Sequence, residues 1–249
     1  MPVITCDNID PPIWNRPSAM AFGFSENVNV WRLQVSTCYS LVGRFQSVLD
    51  PLEQARAAAY QQESARSQFV IAHGILRFLL AKYLEKAPSD IQFAAGENGK
   101  PFIKSIAGIE IHYNVAHSGD WILIAISGNP VGIDVEYKDP EFDYSEVVPA
   151  CFNFDDINLV QNSADPRSGF YLYWTRKEAL IKASARGIDN ELPSIPCLDG
   201  EHDIDSGILG IASGWDVTSF PVDERHVGSV ARQKLTGPLS FWEAKDIMA

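Results

Sequence analysis

The chain has 249 residues, 46% of them hydrophobic, which is enough apolar material for one large domain or two small lobes to bury a core unaided. Its formal net charge of -12 repels phosphate backbones, so nucleic-acid binding is not expected and any anionic ligand has to be met by a local group of Lys, Arg or His. No run approaches the ~20 apolar residues of a membrane span, and residues 1–15 lack a basic region followed by an apolar one, so a cytoplasmic protein without a membrane partner is expected.

Along the chain, residues 29–35 alternate, with Trp31, Leu33 and Val35 on one side, and read as a strand. Asp50, Pro51 and Glu53 then suit the N-cap, first-turn and N3 positions of a helix. A longer helix is predicted over 66–83, where Phe69, Ala72, Leu76, Leu80 and Tyr83 form one buried stripe. Arg66, His73 and Arg77 lie on a neighbouring stripe, spaced to project together from successive turns. Residues 91–93 and 101–103 flank Asn98-Gly99, a pair that readily takes the positive φ angles of a tight hairpin turn. Two apolar, β-branched strands are expected over 109–115 and 121–127, and Gly128-Asn129-Pro130 separates the second from another at 131–137. The division between an N-terminal lobe, 1–128, and a C-terminal lobe, 129–249, is placed at this break. Short helices around 145–162, a strong helix over 167–186, and strands near 208–220 and 226–231 complete the reading. Helices interspersed with hairpins argue for an α+β fold with antiparallel sheets.

The four cysteines, Cys6, Cys38, Cys151 and Cys197, form neither a Cys-x-x-Cys pair nor a Cys/His zinc pattern, and read as reduced packing thiols.

Four features bear on chemistry. In Val131-Gly132-Ile133-Asp134-Val135-Glu136 the period of a strand puts Asp134 and Glu136 on one face. Two such carboxylates repel unless a cation sits between them, and magnesium favours a few carboxylates together with phosphate oxygens and water. An amphipathic strand with its acidic face in water explains the same pattern. In Trp174-Thr175-Arg176-Lys177-Glu178-Ala179-Leu180-Ile181-Lys182, Glu178 and Lys182 share a helix face. They suit either an ordinary surface ion pair or a metal-and-phosphate site. Around the Gly96 to Pro101 turn, Lys100 is a compact cation beside glycines whose backbone admits a phosphate closely, though a plain hairpin also accounts for it. In Asn114-Val115-Ala116-His117-Ser118-Gly119, His117 suits an anion donor or a polar core position.

In their order and spacing these segments resemble the Sfp-type 4′-phosphopantetheinyl transferases. Phe93, Gly96 and Gly99-Lys100-Pro101 match the first motif of that family, and Asn114 with His117-Ser118 its histidine strand. Gly132-Ile133-Asp134-Val135-Glu136 matches its GIDxE motif, and Trp174 through Lys182 its WxxKEAxxK motif, the whole match running over about 66–187. The resemblance implies two similar lobes with small antiparallel sheets, related by a pseudo-twofold, with coenzyme A in the cleft between them, and a monomer. It implies a magnesium-dependent enzyme that moves phosphopantetheine from coenzyme A onto a serine of an acyl or peptidyl carrier protein. Asp134, Glu136 and Glu178 would then hold Mg2+, with Glu178 the first choice to accept the serine proton and Lys182 on the pyrophosphate. Lys100 and His117 would hold phosphates of coenzyme A, with Arg66, Gly99, Pro101, Asn114 and Ser118 as further coenzyme A contacts.

Two positions depart from the family pattern: Ala116 replaces a serine before the histidine, and Asp156 stands where relatives carry a glutamate. Asp156 also suits a helix start beside Asp155. Docking an acidic carrier on a chain of this charge calls for a local basic or apolar patch, with Arg44, Arg56, Arg66, Arg176 and Arg186 as candidates. Another magnesium-dependent phosphoester enzyme, or a non-catalytic module binding coenzyme A or a carrier protein, are the competing readings.

Overall fold

The structure is a computed structural model that describes residues 1–23, 27–95, 101–103, 110–185, 191–210, 213–234 and 237–248. Its strands and helices, in chain order, are β1 (Val3–Asn8), β2 (Val28–Gln34), α1 (Val42–Gln46), α2 (Pro51–Ala59), α3 (Glu63–Leu84), β3 (Phe93–Ala95), β4 (Pro101–Ile103), β5 (His112–Ser118), β6 (Trp121–Ser127), β7 (Val131–Tyr137), α4 (Val148–Cys151), α5 (Phe154–Asn162), α6 (Pro166–Ser184), β8 (Gly200–Asp203), α7 (Ser206–Leu209), β9 (Trp215–Pro221), β10 (His226–Gln233) and β11 (Leu239–Glu243). The mixed α+β class matches the sequence reading.

Three sheets result: a four-stranded one ordered β11-β2-β6-β5, a five-stranded one ordered β7-β10-β9-β1-β8, and the β3-β4 hairpin. Both larger sheets depart from the expected all-antiparallel pairing, because β11 runs parallel to β2 and β1 parallel to β9. Those pairings join opposite ends of the chain, for which no hairpin signal exists in the sequence. The division expected at residue 128 is crossed at both ends, since β1 lies in the sheet of β7 and β11 in the sheet of β2.

Strand periodicity decides which core each face builds. Trp31 and Leu33 of β2 and Ile122, Ile124 and Ile126 of β6 pack with α3. The intervening Val28, Val30, Leu123 and Ala125 face the other way, onto Val131, Ile133 and Val135 of β7 and Val230 of β10. On the far side of the five-stranded sheet, Ile4, Cys6, Val217 and Ala231 pack under Ala179, Leu180 and Ala183 of α6. Each large sheet therefore has a long helix on its outer face, and the inner faces share a third core. All four cysteines are free and buried within this packing.

The start of α2 follows the sequence signal: the Asp50 side chain accepts from the Glu53 amide at 2.9 Å, and Glu53 accepts from the Asp50 amide at 3.0 Å. The same acids explain the polar stripe on α3. Arg77, fully buried, donates to Glu53 at 2.7 Å and Asp50 at 2.8 Å, and to the carbonyls of Ile91 and Pro88. His73 lies 2.8 Å from Glu53. Burial acts to raise the Glu53 pKa, but the bonds from His73, the Asp50 amide and Arg77 outweigh it and hold the carboxyl below its usual range. Arg66 does not join them; it is exposed and donates to the Tyr60 carbonyl.

Candidate active site

The edge strand β7 of one sheet meets the edge strand β5 of the other, and side chains replace a backbone ladder between them. Asn114 Oδ1 accepts from the Ile133 amide at 2.8 Å, and Ser118 Oγ accepts from the Tyr137 amide at 2.9 Å. Both residues were expected as coenzyme A contacts; here their polar atoms brace the junction, although Asn114 also borders the cavity described below. Gly119, with φ of 54°, turns the chain from β5 into β6 over the His226 ring, where a β-carbon would lie 2.6 Å from Nε2.

The even-numbered residues of β7 face α6. Gly132 packs against the backbone at Ala179 and Ala183, Asp134 meets Lys182, and Glu136 meets Trp174. Strand and helix therefore run in opposite directions, and the i, i+4 pair Glu178 and Lys182 sits over the acids of the strand. Lys182 Nζ donates to Asp134 Oδ1 at 2.6 Å. Trp174 Nε1 donates to one oxygen of Glu136 at 3.2 Å, and Ser118 Oγ to the other at 3.0 Å. The acidic triad thus occupies one strand–helix interface rather than separate surfaces.

Electrostatics makes this interface unusual. Burial pushes the Asp134 carboxyl from 3.8 up to about 7; Lys182 opposes the rise, and the negative charges of Glu136 and Glu178 add to it. Burial likewise raises the Glu178 pKa, with Lys182 opposing and Glu136 adding. Asp134 Oδ2 and Glu178 Oε1 are buried and accept no hydrogen bond. Two orphaned anionic oxygens, near a third carboxylate, fit the hard oxygen donors a magnesium ion takes. As the side chains stand, no group of three among the described residues is arranged to hold a metal ion. Lys182 on Asp134 and the two donors on Glu136 already use part of the ligand set.

A cavity of about 520 Å³ opens between α2, α3, β3 and β5; Asp134, Glu136, Glu178 and Lys182 do not line it, and its wall meets β7 through Asn114, which holds the Ile133 amide. Its walls include Tyr60, Phe69, Phe93 and Tyr113, with Arg56, His73 and His117 as basic groups. His117 stands exposed at the rim; partial burial of the ring and then the charge of Lys182 lower its pKa. Tyr113 presents a buried hydroxyl without a partner. Of the glycine turn, Pro101 is exposed at the start of β4, while Gly99 and Lys100 lie outside the described residues. Arg66 is not among the residues lining the cavity. Sequence reasoning missed Tyr60, Phe69, His73 and Tyr113 as cavity residues, because aromatics at helical or strand spacing read as core.

Two further expectations resolve differently. Asp156 is buried and accepts from Lys177 Nζ at 3.1 Å, and the same ammonium donates to the carbonyls of Leu192, Pro193 and Ile195. Asn153 caps α5 by accepting from the Asp156 amide, so Asp156 is a helix-start residue whose side chain anchors α6. Arg176, offered as a docking cation, is fully buried on Ser219, the Cys197 carbonyl and Asp199, and is unavailable to a partner.

Comparison with known proteins agrees on one kinship. Residues 130–233 match the family model described as the 4′-phosphopantetheinyl transferase superfamily, and residues 38–129 match that of the 4′-phosphopantetheinyl transferase N-terminal region. The chain is 31% identical over 158 residues to a putative 4′-phosphopantetheinyl transferase of Synechocystis, covering 62% of this chain and 64% of that relative. It is 27% identical to HetI, a 4′-phosphopantetheinyl transferase of Nostoc, over 88% of this chain and 92% of the relative. It is 26% identical to the 4′-phosphopantetheinyl transferase Sfp of Bacillus subtilis, over 61% and 66% of the two chains. The matches to the first and third of these relatives thus span slightly less than two thirds of their lengths. Among the described residues no helix is long and apolar enough to cross a membrane.

Proposed function

We infer that this chain, which belongs to the 4′-phosphopantetheinyl transferase superfamily, transfers the 4′-phosphopantetheine group of coenzyme A to a serine of an apo acyl or peptidyl carrier protein, acting as a cytoplasmic monomer. The observation that carries this reading is the register of α6 on β7, which lines up Asp134, Glu136, Glu178 and Lys182 on the β7 side of a junction whose β5 side borders a cavity with His117 at its rim. A cavity of about 520 Å³ with aromatic walls, and with Arg56, His73 and His117 beside the acids Asp50 and Glu53 that buried Arg77 offsets, suits an aromatic base carrying phosphate.

In the proposed reaction the carrier serine Oγ attacks the β-phosphorus of coenzyme A. The new P–O bond forms as the bond to the bridging oxygen breaks, and 3′,5′-ADP leaves with that oxygen and its charge. The serine proton needs an acceptor. Glu178 suits this task, because its buried Oε1 has no other partner and burial raises its affinity for a proton. Lys182 supplies positive charge to the diphosphate, and Trp174 and Ser118 orient Glu136. A magnesium ion held by Asp134, Glu136 and Glu178 would neutralise charge building on the phosphate oxygens. His117, Lys100 and the cavity's basic groups are the proposed phosphate contacts, with Gly99, Pro101 and Asn114 as peripheral ones and Arg66 as a contact from outside the cavity walls; Ser118, its hydroxyl held by Tyr137 and Glu136, serves the site through Glu136.

The test is incubation with coenzyme A, Mg2+ and an apo carrier protein. Intact-mass measurement is expected to find one phosphopantetheine on the carrier serine. Binding of coenzyme A or carrier without that mass change would leave a non-catalytic module, and coenzyme A cleavage without transfer another phosphoester enzyme.

A further inference from the structure

The Lys182–Asp134 contact raises a question about charge. Asp134 is fixed: it lies in the middle of β7, opposite Ser229 of β10, with its side chain only 6% exposed. Lys182 is the partner able to move, with a side chain 29% exposed on a flexible four-carbon stem. The helix beneath it cannot withdraw, because Gly132 meets the α6 backbone at Ala179 and Ala183, the residues that directly follow Glu178 and Lys182. Any change at this contact is therefore a rotamer change of the lysine. Three carboxylates face one ammonium, and Asp134 Oδ2 and Glu178 Oε1 remain without partners, so the lysine leaves the interface with anionic capacity unspent.

We propose that Lys182 is the resident counter-ion of the metal-free enzyme: its ammonium holds Asp134 in place of a divalent cation and is displaced from that carboxylate when one binds. The proposal rests on the phosphopantetheinyl-transfer reading only in supplying the next partner of the freed lysine, the diphosphate of coenzyme A. It accounts for the lack, among the described residues, of a three-ligand metal arrangement as the side chains stand. It also makes metal binding and lysine release two sides of one linked equilibrium, in which the ammonium and the metal ion compete for Asp134 and release of the lysine favours the metal. Lys182 is then a positioning residue before it is a substrate contact. It keeps a buried carboxylate compensated until the metal arrives.

The experiment is direct titration of the purified protein with Mn2+ in the absence of coenzyme A, read by the loss of the free-ion electron paramagnetic resonance signal at about pH 8.5, where proton competition for carboxylates is small. Lys182→Met, which keeps length and removes charge, is expected to bind Mn2+ about tenfold more tightly than wild type, since a competing cation at contact distance is gone. Lys182→Arg, which keeps the charge, is expected to stay at wild-type affinity, and Lys182→Gln serves if the methionine variant does not fold. Unchanged or weaker Mn2+ binding in the uncharged variants overturns the proposal. Carrier modification by the same wild-type preparation, followed by mass, separates the two readings. Modification without tighter metal binding in Lys182→Met removes the lysine's role alone, whereas tighter binding without any modification removes the functional reading and keeps the lysine's role.

Discussion

Gly132 and Ala179 touch backbone to backbone: a β-carbon on the glycine would lie 2.0 Å from the alanine carbonyl oxygen. The contact sets the height of α6 over β7, and with it the places of Glu178 and Lys182, which precede Ala179 and Ala183 in sequence. Gly132→Ala is expected to cost about 3 kcal/mol of stability, since neither backbone can yield without moving the helix. The measurement is a urea unfolding curve. The folded fraction is expected to lose most carrier modification, and a variant with wild-type stability and turnover would show that α6 is positioned by other contacts.

The acids predict a pH dependence of stability. Asp134 titrates near 7 in the folded chain because of burial, against 3.8 ordinarily, so the folded state holds that proton more tightly. Its stabilising contribution is complete below the unfolded pKa and is lost as pH rises toward 7. Glu178, also raised by burial, acts in the same direction. His117, whose pKa is lowered by partial burial, acts oppositely and contributes more as pH rises through the ordinary histidine range. In chelator-treated protein the urea midpoint of wild type is expected to fall relative to that of Asp134→Asn between about pH 4 and 7. A difference independent of pH would place the Asp134 carboxyl at an ordinary pKa.

Lys177 and Asp156 form a fully enclosed ion pair at 3.1 Å that ties α6 to α5. Asp156→Ala is expected to destabilise by about 3 to 5 kcal/mol, because it leaves a buried ammonium with carbonyl partners only. The double variant Asp156→Ala, Lys177→Met is expected to recover part of that loss. Equal unfolding midpoints for the single and double variants would mean that the ammonium is compensated without Asp156.

Two arginines on one helix should separate cleanly. Arg77→Met leaves Glu53 short of a charged partner inside the protein and is expected to cost about 3 to 5 kcal/mol in denaturant unfolding. Exposed Arg66, bonded only to the Tyr60 carbonyl among the contacts described, is expected to change stability by no more than about 0.5 kcal/mol on replacement by Ala. If Arg66 contacts coenzyme A, its replacement raises KM for coenzyme A at unchanged midpoint; an unchanged KM removes it from the substrate contacts.

Elements with a strong local period were legible. The strand at 131–137 and the N-cap of α2 lie where the sequence puts them, and α3 and α6 differ only at their ends. The strand expected over 109–115 is instead His112–Ser118, because polar Asn114 and Ser118 belong to it as braces across the sheet junction. The strand expected over 208–220 begins only at Trp215; Asp205 caps a helical turn that Gly210, in the left-handed region, brings to an end. β1, β8 and β11 were missed because they are short and pair with partners that a local window does not contain. At the site, the carboxylates were legible from strand and helix spacing. Their donors were not: that Trp174 and Ser118 orient Glu136, or that Glu53 gathers His73 and Arg77, depends on residues 18 to 38 positions apart.

The exchange of end strands also constrains how the chain is made. A nascent polypeptide emerging from the ribosome can complete neither large sheet from its first half: β1 waits for β9, some two hundred residues later, and the bare edge of β2 waits for β11. Severing the polypeptide at the junction of β6 and β7 would therefore not release two self-sufficient folding units, because each fragment would carry away a strand that the other requires.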